Sequence, residues 1–267
     1  MSNVISANTL FHFTRSFDNI VKIISDGFYP KCCLENFDFN YPSGAGNSQS
    51  PRLAIPMVCF CDIPLSQVGF HKTKYGCYAI GLSKEWGEKK GINPVLYELP
   101  NSNTIGIIKE CLNKAFSNTS HRENGEINAN VDTIKNELLF LLFYLKPYEG
   151  NIWDGSGFNG DKVKFYDERE WRYIPDYNKI LEKSLKPYMF IDTFLDKDKA
   201  ESFNKSFESE FKLELSPNDI KYIIVDREKD VLSMITNINN MNLNCSSDEK
   251  NLLLTKIISF ERIEQDF

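Results

Sequence analysis

Leu10-Phe11-His12-Phe13-Thr14 is followed, after Arg15 and Ser16, by Phe17-Asp18-Asn19-Ile20-Val21-Lys22-Ile23-Ile24-Ser25-Asp26-Gly27-Phe28. In the first run side chains alternate across an extended strand, so His12 and Thr14 share a face and can work as a pair. In the second, Phe17, Ile20, Val21 and Ile24 recur at the spacing of a helix that buries one side. Gly27 falls where a left-handed C-cap glycine ends such a helix. The spacing predicts strand, turn, helix and glycine stop.

Further along, the prolines and glycines of residues 31–56 predict a loop. No strand and P-loop spacing accompanies those glycines, so they are not read as a phosphate cradle. Residues 57–61 are a compact apolar run bounded by prolines, which suits a buried strand. Residues 65–75 suit a short helix with His71 and Tyr75 on one face. Two more strands are expected at 77–82 and 94–99, with Ser83 capping a helical turn that carries Trp86 as a packing residue. Helical spacing over 104–116 and 131–146, the second stopped by Pro147, predicts a helical insertion of about 103–147. The polar stretch 117–130 between its helices, which contains His121, reads as a surface connection. The run 138–145 is apolar nearly all round and predicts burial.

After a glycine-bearing loop at 151–160, residues 162–165 and 167–174 read as extended. Glu168, Glu170 and Arg172 then share one face, and Arg169, Trp171 and Tyr173 the other. The aromatic face is expected to pack and the charged face to look into a cleft. In the tail, Phe203, Phe207 and Phe211 suit the inward side of a helix. Residues 220–225 form a strand, 230–238 a helix, Ser246 with Glu249 a capping box, and 257–263 a closing strand.

At 267 residues, with 42% hydrophobic and 25% charged residues, the composition is that of an ordinary globular protein with a substantial core. A formal charge of -6 and a pI near 5.3 argue against broad non-specific nucleic-acid binding. Met1-Ser2-Asn3-Val4 does not open a secretory signal, and the most apolar run is far shorter than the roughly 20 residues that span a bilayer. A cytoplasmic protein is expected. The seven cysteines are an odd number, which suits free thiols in a reducing compartment. Cys59, Cys61 and His71 lack the paired halves of a zinc site, so no metal is assigned.

Two resemblances add to this reading. The strings FHFT, VCFCDIPLS, HKTKYGCYAIGLSKEWG, NPVLY and YDEREWRYIP, in that order over residues 9–175, resemble the AbiGi abortive-infection phage-resistance family. LFHFT with its following helix and glycine resembles the opening of the ADP-ribosyltransferase superfamily. The second resemblance implies an α+β fold: two small, mostly antiparallel sheets around a cleft, in a single domain over 1–267 that carries the helical insertion. It also implies NAD as co-substrate, with His12 and Thr14 holding the ribose and carboxamide region. The superfamily's catalytic glutamate falls near Glu170, with Glu168 the alternative in an E-x-E arrangement, and His12 assisting. Such a carboxylate stabilises an oxocarbenium-like transition state. Arg172 is expected to hold the pyrophosphate or pair with a glutamate, while Phe60, His71 and Tyr75 lie towards the nicotinamide. Cys59-Phe60 stands where that superfamily usually has a tyrosine.

Each residue also has a structural reading. His12 suits a hydrogen-bonded core histidine, His71 and Tyr75 a helix surface, and the charges of 168–172 a solvated ladder. Two functions therefore stand side by side. One is an NAD-dependent ADP-ribosyltransferase-like effector of anti-phage defence. The other is a catalytically inactive antitoxin or regulatory binding protein of a two-gene abortive-infection system, with a protein partner encoded nearby.

Overall fold

β1 (Thr9–Thr14) and α1 (Phe17–Asp26) form where the alternating and helical spacings place them. The computed structural model describes residues 7–37, 52–118, 129–153, 156–158, 160–208 and 210–266. The further strands are β2 (Lys31–Asn36), β3 (Arg52–Cys61), β4 (Tyr78–Ser83), β5 (Asn93–Pro94), β6 (Leu96–Glu98), β7 (Leu145–Pro147), β8 (Glu149–Asn151), β9 (Lys162–Lys164), β10 (Glu170–Tyr173), β11 (Met189–Phe190), β12 (Ile220–Val225) and β13 (Ile257–Ser259). The further helices are α2 (Gly69–Tyr75), α3 (Lys84–Lys89), α4 (Asn103–Asn118), α5 (Ala129–Leu142), α6 (Tyr177–Glu182), α7 (Ile191–Leu195), α8 (Lys197–Glu208), α9 (Glu228–Asn240), α10 (Ser247–Leu254) and α11 (Phe260–Asp266).

The mixed α+β class holds, but the strands are not divided into two small sheets. Nine of them join in one sheet ordered β13-β12-β4-β1-β3-β10-β5, with β2 and β11 also paired to β3, while β6 with β7 and β8 with β9 form separate two-stranded ribbons. The ten residues of β3 serve two ladders. Its first half pairs with β2 and β11, and its second half with β1 and β10. Pro56 lies between Ala54, which pairs with β11, and Val58, which pairs with β10. A residue without an N–H thus sits where that side of the strand changes partner.

This arrangement corrects the loop expected over 31–56, because residues 31–36 and 52–56 are strands. Leu53, Ala54 and Ile55 are all buried, so this part of β3 is covered on both faces and shows no alternation. Residues 41–48 and the connection around His121 lie outside the described residues. The expected strand at 94–99 is split: Val95 N–H donates to the Glu170 carbonyl and Leu96 N–H to that of Tyr144, so the chain changes sheets there. Likewise α5 ends at Leu142, and the last residues of the predicted helix form β7, parallel to β6. At the C-terminus β13 ends at Ser259, and α11 takes up the rest of the expected strand.

One core lies between the sheet and α1, α3, α9 and α10, around Leu10, Ile20, Phe60, Ile80 and Met234. A second joins Leu53, Ile55 and Met57 of β3 to Leu112 of α4 and Leu142 of α5, which accounts for the apolar character of 138–145. The opposite sheet face packs Phe11, Cys61 and Ala79 against Val68 and Phe260. Phe207 of α8 is buried and Phe203 packs partly buried against it, while Phe211 is buried beyond the end of that helix at Glu208; both arms of the Ser246–Glu249 capping box are made.

Gly27 and Gly76, the residues that stop α1 and α2, have φ 87° and 124°. A Cβ on Gly76 would lie 2.2 Å from the Thr14 carbonyl oxygen. Gly76→Ala is therefore expected to destabilise the protein by about 1–3 kcal/mol, through backbone strain and a clash with β1. Chemical denaturation measures this, and an unchanged midpoint would refute it.

Candidate functional site

A two-residue repeat puts Glu170 and Arg172 on one face of β10, opposite Cys61 and Cys59 of β3. Glu168 is not on that strand. It ends a 3₁₀ turn, and Arg169, at φ 46°, swings the chain into β10. Even so, Glu168 reaches the same cluster, because Lys146 of β7 bridges the two glutamates. Lys146 Nζ donates to Glu168 Oε2 at 2.7 Å and to Glu170 Oε2 at 2.6 Å. The Tyr75 hydroxyl donates to the other oxygen of Glu168. Arg172 Nε donates to Glu170 Oε1 at 2.7 Å, Nη1 to the Phe143 carbonyl at 2.7 Å, and Nη2 to Glu35 Oε1 of β2 at 2.7 Å.

The charged face is therefore the more buried one, although Glu168 and Glu170 still border a cavity. Arg172 is 0% exposed, Glu168 4% and Glu170 5%, whereas Trp171 and Tyr173 are half-buried against the main core. Opposite charges held at hydrogen-bond distance make this burial tolerable. Burial alone raises the Glu170 carboxyl, but Arg172 and then Lys146 outweigh it and hold that carboxyl far below the usual carboxylate range. Burial likewise raises Glu35, and here it prevails over Arg172. For Lys146, desolvation is overcome by Glu170 and Glu168, and the ammonium stays charged.

These shifts act on stability in opposite senses. Glu170, depressed in the fold, contributes fully above the ordinary glutamate value of about 4.3 and loses that contribution as pH falls towards its folded value. Glu35, raised in the fold, opposes folding as pH rises from the ordinary value through its folded one. Urea unfolding at about pH 7, 5 and 3 is expected to show an acid loss that is shallower in Glu170→Gln. Equal slopes in the two proteins would contradict this.

β1 and β3 share a single residue pair, Phe11 with Cys61, before they part. His12 fills the gap, donating from Nδ1 to the Cys59 carbonyl at 2.8 Å. That bond leaves Nε2 as the acceptor nitrogen, and burial lowers the imidazole pKa and favours the neutral ring. His12 borders two cavities. One, of about 300 Å³, is also lined by Thr14, Asn19 and Phe28. The other, of about 210 Å³, is also lined by Tyr75, Lys146, Glu168 and Glu170.

The predicted residues are thus only partly brought together. His12, Tyr75, Glu168 and Glu170 border one cavity, while Thr14 borders the other, and its hydroxyl accepts from Asn19 Nδ2 and Ser16 N–H rather than orienting His12. Phe60 is 0% exposed among Phe28, Trp86 and His12, so it has no face for a nicotinamide. Arg172 is fully buried and directs its donors to Glu170, Glu35 and the Phe143 carbonyl, so it presents no guanidinium edge to a pyrophosphate. His71 is buried on α2 between the rings of Phe13 and Tyr75 and lines a separate cavity of about 560 Å³ with Phe70 and Tyr166. Glu35 and Lys146 were not anticipated. For Lys146 a signal existed: a lone lysine directly after eight apolar residues and before a proline can only be buried with a counter-charge.

Among the described residues, no group of three or more histidine, cysteine, aspartate or glutamate side chains is placed to hold a metal, and no helix is long and apolar enough to cross a membrane.

Strands β2 to β12, helices α4 and α5 and the buried ion cluster lie within a stretch that matches a described family. Residues 26–226 match the family "Putative abortive phage resistance protein AbiGi, antitoxin". The chain is also 32% identical over 260 residues to the abortive phage resistance protein AbiGi of Lactococcus lactis subsp. cremoris, covering 90% of this chain and 99% of that protein. The chain belongs to the AbiGi family of abortive phage resistance proteins. No solved structure matches it.

Proposed function

We propose that this chain is the antitoxin of a two-gene abortive-infection system, working in the cytoplasm by binding a partner protein rather than by transferring ADP-ribose. The observation that carries this reading is the state of Glu170. Both of its oxygens are engaged by Arg172 and Lys146 at 5% exposure, so its charge is already paired rather than free to stabilise a developing oxocarbenium ion. The cluster also has three carboxylates, of Glu35, Glu168 and Glu170, against the two cations Lys146 and Arg172. Both cations are already paired with these carboxyl groups, so neither is left over for the pyrophosphate of a dinucleotide. The antitoxin description of the family supports the same reading.

The second reading, an NAD-dependent ADP-ribosyltransferase-like effector, rests on His12, Glu168 and Glu170 bordering one cavity. Nicotinamide release from NAD by the purified protein separates the two. The antitoxin reading expects no release from either the wild type or Glu170→Gln. Release that is lost in Glu170→Gln would establish the transferase.

A further inference from the structure

Beside the ion cluster lies a cavity of about 390 Å³, within the size range of small-molecule sites. Its aromatic lining is Tyr75, Trp153, Phe158 and Phe165, and its charged lining includes Glu35, Lys146 and Glu168. The oxygens of Glu168 are taken by Tyr75 and Lys146. Glu35 differs, because only its Oε1 is engaged, by Arg172. Among the described residues Glu35 Oε2 has no donor, and Glu35 is the least buried of the three cluster carboxylates, with 17% of its side chain exposed. Lys146 offers the cavity little positive charge, since its ammonium holds two glutamates and lies 4.7 Å from the centre of the Phe165 ring.

We propose that this cavity takes an organic cation, a guanidinium or primary ammonium group that pairs with Glu35 Oε2 and lies against the aromatic walls. Aromatic faces attract such cations, and one of them beside Glu35 Oε2 would favour the carboxylate form that burial opposes. The walls already show this chemistry from outside the cavity lining: the Arg52 guanidinium carbon lies 5.4 Å from the centre of the Phe158 ring. The cation has two possible sources, a free amine or a basic side chain of a bound protein. This assignment goes beyond the antitoxin reading and does not depend on it.

The test is calorimetry on the full chain with three probes: agmatine, arginine blocked at both ends, and blocked citrulline, the uncharged analogue of arginine. At least one cation is expected to saturate, and citrulline to bind at least about tenfold more weakly than blocked arginine wherever arginine binds. Saturation by agmatine alone assigns a free amine, and saturation by blocked arginine a protein side chain. Trp153→Ala, whose ring is only half-buried, is expected to weaken binding severalfold while keeping the melting transition. Glu35→Gln is expected to weaken it further. Two results would overturn the assignment: citrulline binding as well as arginine, or no saturation by either cation up to about 10 mM. Because Glu35→Gln also disturbs Arg172, Trp153→Ala decides if that variant fails to fold, and undiminished affinity in Trp153→Ala would overturn the assignment as well.

Discussion

Arg172→Leu will lower the stability of the fold by about 3–5 kcal/mol, the usual cost of removing one partner from a buried ion pair. The guanidinium is fully buried and makes bonds to Glu170, Glu35 and the Phe143 carbonyl. Leucine fills part of the volume but leaves Glu170 with Lys146 alone and Glu35 without its donor, while the Phe143 carbonyl is stranded in apolar surroundings. Arg172→Lys keeps the charge but cannot span three acceptors from a planar fork, so it should fall between the two. The double variant Arg172→Leu with Glu170→Gln removes charges of both signs and should cost less than the sum of the single variants. Urea denaturation at neutral pH, with Glu170→Gln alone and the wild type alongside, reads all five proteins. A loss below about 1 kcal/mol for Arg172→Leu would show that the cluster does not hold β10 to β2 and β7.

Phe60→Ala is expected to cost about 3–5 kcal/mol as well, from lost burial and the cavity left behind. Its ring centre lies 5.3 Å from that of Phe28 and 5.8 Å from those of Trp86 and His12, so it joins β3 to the helices on one sheet face. A ligand-stacking residue would behave otherwise, with little change in melting temperature and a selective loss of binding. A near-unchanged melting temperature for Phe60→Ala would return it to the candidate site.

The parts of the fold that could be read from the chain are those with a local period. β1 and α1 follow from alternation and helical spacing over 10–27, and α8 from its phenylalanines. The N-terminus of α10 follows from a serine and a glutamate three residues apart. The first half of β3 escaped because a strand buried on both faces has no alternation, and β2, exposed or half-buried throughout, because the prolines and glycines of 31–56 signal a loop. The candidate site was readable as chemistry but not as geometry. Glu168, Glu170 and Arg172 do meet, yet their partner Glu35 lies 137 residues from Arg172 in the chain, a separation over which no local pattern reports. Without Glu35 and Lys146 in view, a charged strand face reads as solvated or cleft-lining. With them it becomes the most buried polar feature of the fold.

The most direct measurement is growth after induced expression of this chain alone, of the protein encoded beside it alone, and of the two together. An antitoxin leaves growth unaffected by itself and restores it when expressed with an arresting neighbour, in complex with that protein. Arrest by this chain alone, relieved by its neighbour, would contradict the antitoxin assignment and make this protein the effector.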